Sequence, residues 1–164
     1  MYYIIDNILP QHLYDHLQQV TFEELLCENY EYTEHDKRYG KILSKDSDIY
    51  SYVSENVKSF ILKEINEESN HNHLYLNDIY VCFDDANFSI PWHEDTHEKY
   101  ISCVIYCGDQ FNGTTFLNEN LQEKNVDALP NRLVYFKSKK TIHCVKKQLN
   151  KRYTLQFSYC FKET

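Results

Sequence analysis

Hydrophobic residues in the first 65 positions of the chain recur at the spacing of two amphipathic helices. The first helix is predicted to begin at Pro10, because proline is well tolerated at the first helical position. Its apolar stripe consists of Leu13, Leu17 and Val20. The second helix is predicted to begin near Asp46 or Ser47, both good N-cap residues. Its longer stripe, which we expect to pack against a sheet, consists of Ile49, Val53, Val57, Phe60, Ile61 and Ile65.

From residue 73 onward the helical period gives way to runs rich in aromatic and β-branched residues, which are typical of strands. These runs lie at residues 73–83, 100–107, 114–117, 132–136, 142–146 and 152–161, with further short strands predicted at 2–5 and 39–43. Helices followed by a series of short strands indicate an antiparallel jelly-roll with a helical flank. The predicted fold class is mainly β with flanking helices: a double-stranded β-helix (jelly-roll, cupin-like) with N-terminal helices.

Length and composition narrow the picture further. The 164 residues suit one domain with a sizeable core. We expect residues 1–72 to form the helical flank of that domain and residues 73–164 its jelly-roll core. The formal charge of −8 argues against sequence-independent binding to nucleic acid.

Cysteine usage and hydropathy indicate the compartment. The chain has six cysteines but no C-x-x-C pair, and three of them lie in apolar strand-like runs, as free buried thiols do. The N-terminal residues lack the basic start and apolar core of a signal peptide, and no apolar run is long enough to span a membrane. We therefore expect a soluble, intracellular protein of the cytoplasm.

The run from Pro91 to His97 carries the candidate chemistry, and it can be interpreted in two ways. His93, Glu94 and His97 spell the H-E-x-x-H signature of zinc proteases, which requires a helix. His93 and Asp95 instead form an H-x-D pair, which suits a strand, where alternate residues share a face. The upstream proline and the strand-like run after the motif favour the strand. A zinc protease would also need a third ligand such as Glu119, which lies in a polar, loop-like run.

The strand interpretation needs a second histidine, and His143 lies in the strand-like run at 142–146. Two histidines and one carboxylate on one side of a metal make the facial triad of non-haem Fe(II) oxygenases. The other three positions would then be open to a bidentate cosubstrate and to dioxygen. The sequence therefore predicts a metal site for Fe(II) or Mn(II) at His93, Asp95 and His143, with His97 outside it.

An ordered set of segments between residues 79 and 161 resembles the 2-oxoglutarate and Fe(II)-dependent dioxygenases, in particular their prolyl-hydroxylase-like branch. The segments, in order, are His93-Glu94-Asp95, the strand Ile101 to Tyr106, Asn112-Gly113-Thr114-Thr115-Phe116-Leu117, Asn131-Arg132-Leu133-Val134-Tyr135-Phe136, His143 and Arg152. Each segment is a weak signal by itself, and the order is what carries the resemblance.

The resemblance implies specific roles. It makes His93, Asp95 and His143 the iron ligands and Arg152 the residue that holds the far carboxylate of 2-oxoglutarate. A planar guanidinium suits that task, because it can donate two parallel hydrogen bonds to a carboxylate. Tyr106 matches a tyrosine that helps to bind the same carboxylate, although it could equally be a core aromatic. Thr154 and Gln156 share the strand face of Arg152 and could add hydrogen bonds.

The implied activity is hydroxylation of a protein residue, prolyl-type favoured, or of a small molecule, with dioxygen consumed and succinate and CO2 released. Fe(II) and 2-oxoglutarate would be the cofactors, with ascorbate as a further candidate. The segments that would shape the substrate mouth, Asn112-Gly113 and Phe83 to Asn87, depart from the family pattern and leave the substrate open. A metal-binding jelly-roll module without catalysis is the alternative. The nucleic-acid demethylases of the superfamily fit less well, because Ser158 stands where they have a second arginine.

Basic residues cluster near His143. We expect Lys137, Lys139 and Lys140 to rim the mouth of the site and to steer an acidic substrate towards it. The alternative is that these lysines point away from the metal and only aid solubility.

Overall fold

The chain folds into two antiparallel sheets with helices packed on one of them. A computed structural model describes residues 1–19, 31–32, 38–96 and 98–162. The helices are α1 (Gln11–Gln19), α2 (Asp48–Tyr52) and α3 (Lys58–Glu64); a π-helical turn (Val53–Val57) joins the last two, and a 3-10 turn (Glu68–Asn70) follows. The strands are β1 (Tyr2–Ile5), β2 (Glu31–Tyr32), β3 (Arg38–Ile42), β4 (Leu74–Leu76), β5 (Tyr80–Asp84), β6 (Ile90–His93), β7 (Lys99–Tyr106), β8 (Thr114–Leu117), β9 (Glu123–Asn125), β10 (Arg132–Lys137), β11 (His143–Val145) and β12 (Arg152–Phe161).

Within the described residues, the larger sheet has eight strands in the order β1-β10-β7-β12-β5-β3-β2, with β4 paired to β12. The smaller sheet has four strands in the same part of the chain, in the order β6-β11-β8-β9. The pairings between the described strands are all antiparallel, so the mainly β architecture expected from the sequence is confirmed. β1 pairs with β10 and β3 with β5, so residues 1–72 also supply strands to the large sheet. The division at residue 72 stays a prediction.

The second helical segment begins as its sequence predicts. Ser47 is the N-cap, and its hydroxyl accepts a hydrogen bond from the Tyr50 amide at 3.2 Å. Ile49, Val53, Val57 and Ile61 of the predicted stripe are buried in the main core, against the large sheet. Phe60 is an exception and is 46 % exposed, because Val57 and Ile61 occupy the buried face of the helix.

The sequence pattern missed strand β9. All three of its residues are exposed and polar, so it lacks the hydrophobic alternation that indicates a strand. It forms the edge of the small sheet beside β8.

Two further findings concern membrane-spanning helices and cysteines in the described residues. No helix in the described residues is long and apolar enough to cross a membrane. Five of the cysteines lie within the described residues, and all five are free and buried.

Candidate metal centre

Strand pairing in the small sheet brings two distant histidines together. His93 ends β6 and His143 begins β11, and the two residues are direct partners in the antiparallel register. Directly opposed residues of an antiparallel pair have neighbouring side chains. Their ring centroids accordingly lie 4.2 Å apart, although 50 positions separate them in the sequence.

Asp95 completes a cluster of three potential ligands. Its Oδ1 lies 3.6 Å from Nε2 of His93 and 3.8 Å from Nε2 of His143. One ligand atom from each of the three residues falls within 4.8 Å of the others, and no other group of three or more such residues does so in the described part of the chain. The three residues that the sequence singled out as ligands are therefore brought together.

Both imidazoles are oriented by backbone carbonyls. Nδ1 of His93 lies 2.9 Å from the carbonyl oxygen of Pro91, and Nδ1 of His143 lies 3.1 Å from that of Thr141. A carbonyl oxygen can only accept, so we assign the proton of each ring to Nδ1. In the neutral ring each Nε2 then carries a lone pair that can bind a metal ion, whereas a protonated His93 donates from Nε2 to Asp95.

The second oxygen of Asp95 is fixed by the large sheet. The hydroxyl of Ser102 on β7 donates to Oδ2 of Asp95, and Ser138 Oγ lies 2.8 Å from Ser102 Oγ. Both serines are buried. With Oδ2 held in this way, Oδ1 is the oxygen presented to the histidines.

The charge states of Asp95 and His143 suit metal binding. Burial raises the pKa of Asp95, but hydrogen bonding with His93, the charge of Lys99 and the Ser102 hydroxyl outweigh it and bring the pKa well below its usual range. Burial lowers the pKa of His143, against the attraction of Asp95. The carboxylate is thus ionised and His143 is neutral at pH 7, which are the forms that bind a metal.

The zinc-protease interpretation of the same residues is wrong. His93 is the last residue of a strand and residues 94–96 are irregular, so the helix that H-E-x-x-H requires is absent over these residues. Glu94 is exposed. His97 lies outside the described residues, and its exclusion from the metal site stays a prediction.

The three residues open onto a cavity of about 1280 Å³ between the two sheets. Its lining includes two buried arginines, Arg38 on β3 and Arg152 on β12. Three partly or largely exposed residues with apolar surface, Ile42, Tyr80 and Pro91, also line it. The cavity therefore combines a cluster of metal-ligand atoms with guanidinium groups and an apolar, solvent-accessible part.

Arg152 lies inside the protein, as its predicted role requires. It is 1 % exposed, and its Nη1 donates to Oδ2 of Asp84 at 2.8 Å. Its Nε is buried and has no hydrogen-bond partner among the residues that the structure describes. A buried guanidinium with an unsatisfied N–H is an unusual and costly feature, and it marks a place for an acceptor.

Sequence reasoning missed two residues beside Arg152. Asp84 is fully buried, and Arg38 donates to it from Nε at 2.6 Å and from Nη2 at 2.9 Å. Arg38 directly precedes the short strand predicted at 39–43, and Asp84 lies in the segment Phe83 to Asn87, to which the sequence assigns no role. Their pairing depends on the register of β3 on β5, which no local pattern reports.

Tyr106 and Thr154 do not line the cavity, but each contacts a residue that does. The Tyr106 hydroxyl donates to Thr114 Oγ1 at 3.0 Å and accepts from the Thr114 amide at 2.8 Å. Thr154 Oγ1 accepts from Gln156 Nε2 at 2.9 Å. Thr114 and Gln156 both line the cavity. This geometry supports an indirect role for Tyr106 and Thr154.

The lysines predicted to rim the mouth lie elsewhere. None of Lys137, Lys139 and Lys140 lines the cavity, and Lys137 pairs with Glu67. The lysines that do line it are Lys41 on β3 and Lys99 on β7. The steering prediction therefore chose the wrong residues.

Several solved structures have a similar fold. A prolyl-4-hydroxylase from Pseudomonas putida superimposes with a TM-score of 0.80 at 13 % identity, over 99 % of this chain and 93 % of the other. A prolyl hydroxylase from Trichoplax adhaerens, solved with a hypoxia inducible factor peptide, gives 0.78 at 17 % identity, over 98 % and 83 %.

A viral collagen prolyl hydroxylase from Paramecium Bursaria Chlorella virus-1, solved with 2-oxoglutarate, gives a TM-score of 0.72 at 11 % identity, over 98 % of this chain and 96 % of the other. The chain has the fold of the 2-oxoglutarate and Fe(II)-dependent oxygenases. The resemblance drawn from the ordered segments is thus confirmed in the fold. In sequence, no protein-family model and no curated protein matches the chain.

Proposed function

We propose that this protein is an Fe(II)- and 2-oxoglutarate-dependent oxygenase that hydroxylates its substrate. The observation that carries the proposal is the convergence of His93 Nε2, Asp95 Oδ1 and His143 Nε2 on a cavity that also holds the buried guanidinium of Arg152. The shared fold supports it independently.

The donor set fits the proposed metal. Two imidazole nitrogens and one carboxylate oxygen suit Fe(II), and Mn(II) could replace it as an inert probe. Iron and 2-oxoglutarate would together supply the activation of dioxygen, with succinate and CO2 as by-products. The chain itself would hold the metal through His93, Asp95 and His143, keep both histidines in the right tautomer and keep the carboxylate oriented through Ser102.

Arg152 would bind the carboxylate of 2-oxoglutarate that is remote from the metal. Its guanidinium is buried, lines the cavity and has an unsatisfied Nε. Tyr106 would position Thr114, and Thr154 would position Gln156, within the same cavity. A metal-binding module without catalysis would have no use for a buried, incompletely paired arginine, which favours the enzyme over that alternative.

The apolar part of the cavity supports a substrate with an apolar side chain. Ile42 is 52 % and Tyr80 39 % exposed, and both line the cavity together with the exposed Pro91. Such a surface suits a prolyl-type residue on a protein or peptide, in keeping with the three similar prolyl hydroxylases. A small molecule of similar shape is the other candidate.

A turnover assay tests the proposal. Protein loaded with Fe(II) is given 2-oxoglutarate in air, with ascorbate as a proposed additional reductant, and succinate is measured with and without proline-containing peptides. Slow succinate release without peptide, accelerated by a peptide that gains one oxygen atom, is the expected result. Binding of both metal and 2-oxoglutarate without any succinate would instead identify a non-catalytic module.

A further inference from the structure

Gln148, in the loop between β11 and β12, joins two other loops of the fold. It is a polar residue with 0 % exposure. Its backbone pairs with the β5–β6 loop, donating to the Phe88 carbonyl at 2.9 Å and accepting from the Asn87 amide at 2.8 Å. Its side-chain Oε1 accepts from the Asn112 amide, in the β7–β8 loop, at 2.9 Å. The three loops are therefore connected through this one residue.

The amide of Gln148 is oriented by a second hydrogen bond. Its Nε2 donates to the Lys146 carbonyl at 2.7 Å, which leaves Oε1 directed at Asn112. The β7–β8 and β11–β12 loops share two more side-chain bonds, from Asn112 Nδ2 to Lys147 O at 3.3 Å and from Asn150 Nδ2 to Gln110 O at 2.8 Å, and both are exposed. Water can replace an exposed bond at little cost, whereas a buried polar group needs its partner. Gln148 is therefore expected to hold the β7–β8 loop most firmly.

The residue before Asn112 is an aromatic neighbour of Arg152. The ring centre of Phe111 lies 5.9 Å from Cζ of Arg152, and that of Tyr106 lies at the same distance. The two rings are 6.0 Å apart in an edge-on arrangement. An aromatic face at this distance attracts a guanidinium and excludes water from it.

Phe111 also separates Arg152 from a second, smaller pocket. This pocket has a volume of about 390 Å³, and its lining includes Phe111 together with the exposed residues Asp109, Asn112 and Asp127. Arg152 lines the metal cavity, which Phe111 does not line. If the Phe111 ring moved away, water from the second pocket would reach the guanidinium. Charged groups attract each other more weakly where water surrounds them.

We propose that Gln148 is a positioning residue for 2-oxoglutarate. By holding the Asn112 amide it keeps the Phe111 ring against Arg152, so the guanidinium meets the remote carboxylate of the cosubstrate in a site without water. This inference rests on the proposed function. It adds a residue that belongs to neither the metal cluster nor the cavity lining.

The variant Gln148→Met tests the role of the buried amide. Methionine keeps the length of the side chain but removes both of its hydrogen bonds. Binding of 2-oxoglutarate, measured by calorimetry on Mn(II)-loaded protein without oxygen, should weaken more than threefold, while Mn(II) affinity stays within threefold of the wild type. A 2-oxoglutarate affinity within threefold of the wild type overturns the inference, and so does an equal loss of Mn(II) affinity, which indicates general loss of structure.

Asn150→Ala is the matched control. It removes an amide hydrogen bond between the same two loops, but an exposed one. It should leave 2-oxoglutarate affinity within threefold of the wild type. A loss equal to that of Gln148→Met would show that any bond between these loops suffices, which contradicts the role assigned to Gln148.

A double-variant cycle tests whether Gln148 acts through Phe111. Phe111→Leu removes the ring and should itself weaken 2-oxoglutarate binding more than threefold. In that background Gln148→Met should weaken binding by less than twofold, because the ring that it positions is already absent. A merely structural role would give the same factor in both backgrounds. A further loss of twofold or more therefore overturns the inference.

Other outcomes separate this inference from the proposed function. If the wild type binds no 2-oxoglutarate, the proposed function itself fails. If Arg152→Ala loses binding while Gln148→Met and Phe111→Leu retain it, only the present inference fails. Should Gln148→Met not fold, Phe111→Leu decides alone, since 2-oxoglutarate affinity within threefold of the wild type contradicts the role of the ring.

Discussion

The two polar clusters of the cavity are built by different means. At the metal end the side chains of His93, Asp95 and His143 are 33 %, 15 % and 8 % exposed, and neutral carbonyls and a serine hydroxyl orient them. At the other end Arg38 and Arg152 are buried around Asp84, and each forms an ion pair with its carboxylate. The first cluster places two imidazoles around one carboxylate, and the second places two guanidinium groups around one carboxylate.

This difference indicates what each end accepts. A partly exposed cluster with an ionised carboxylate and a neutral His143 suits a cation that arrives with its own water. A buried cluster in which the Nε–H of Arg152 is unsatisfied suits an anion that can accept a hydrogen bond. Because the clusters have no hydrogen bond or ion pair in common among the described contacts, we expect metal and cosubstrate affinities to respond to different mutations.

The largest effect is expected from the metal end. Asp95→Ala removes the oxygen that lies between the two histidines, so Fe(II) or Mn(II) affinity should fall by more than the roughly 10–100-fold loss typical for outer partners. Glu94→Ala, in the adjacent residue, should bind metal normally. The metal affinity of each variant is measured by competition with a chelating dye. A loss in Glu94→Ala but not in Asp95→Ala would contradict the H-x-D assignment.

At the opposite end, Arg152→Ala should separate the two functions. A buried carboxylate would lose its charged partner, which costs about 2–5 kcal/mol in binding. Asp84 would keep its two-bond contact with Arg38, so the fold should persist. Metal affinity should be unchanged in the dye assay while calorimetry reports the loss of 2-oxoglutarate binding. Unchanged 2-oxoglutarate affinity would make Arg152 a structural residue.

The two clusters also differ in how far the sequence could predict them. His93 and Asp95 are two positions apart, and His143 lies in a strand-like run, so a motif and one pairing were enough to find the metal cluster. Arg152 came from the resemblance. Arg38 and Asp84 were missed because their role depends on which strands become neighbours and in which register, and a polar run such as that around Arg38 gives no signal of burial.

The helices and strands were predictable to a similarly limited extent. Segments with strong apolar periodicity were found, including the helix capped by Ser47 and the strand that ends at Phe161. The exposed strand Glu123–Asn125 was not, because nothing in its sequence distinguishes it from a loop. The prediction that the lysines near His143 rim the cavity failed for a related reason. The position of a residue in the sequence does not tell which way its surface side chain points.

A smaller effect is expected from Ser102→Ala, which removes the hydroxyl that holds Asp95 Oδ2. The carboxylate could then rotate, and metal affinity should fall by roughly 10–100-fold. Ser138→Ala, one hydrogen bond further away, should have a weaker effect in the same direction. With metal at saturation, 2-oxoglutarate affinity should be that of the wild type in both. Equal metal affinity in Ser102→Ala and wild type would show that Ser102 does not contribute to metal binding.

The smallest effect is expected at the surface pair of Arg132 and Asp6, whose contact geometry matches that of Arg38 and Asp84. Exposed ion pairs contribute about 0–1 kcal/mol, because water and salt screen them, so Arg132→Gln should barely lower the free energy of unfolding at pH 7. The hydrogen bond from Arg132 lowers the pKa of Asp6 despite slight burial. The contribution of the pair should therefore be complete above the unfolded-state pKa of Asp6 and disappear as the pH falls through the folded-state value. Urea unfolding of wild type and Arg132→Gln across this range should give curves that converge in acid. A difference in stability at pH 7 as large as that for Arg38→Gln would mean that burial does not distinguish the two pairs.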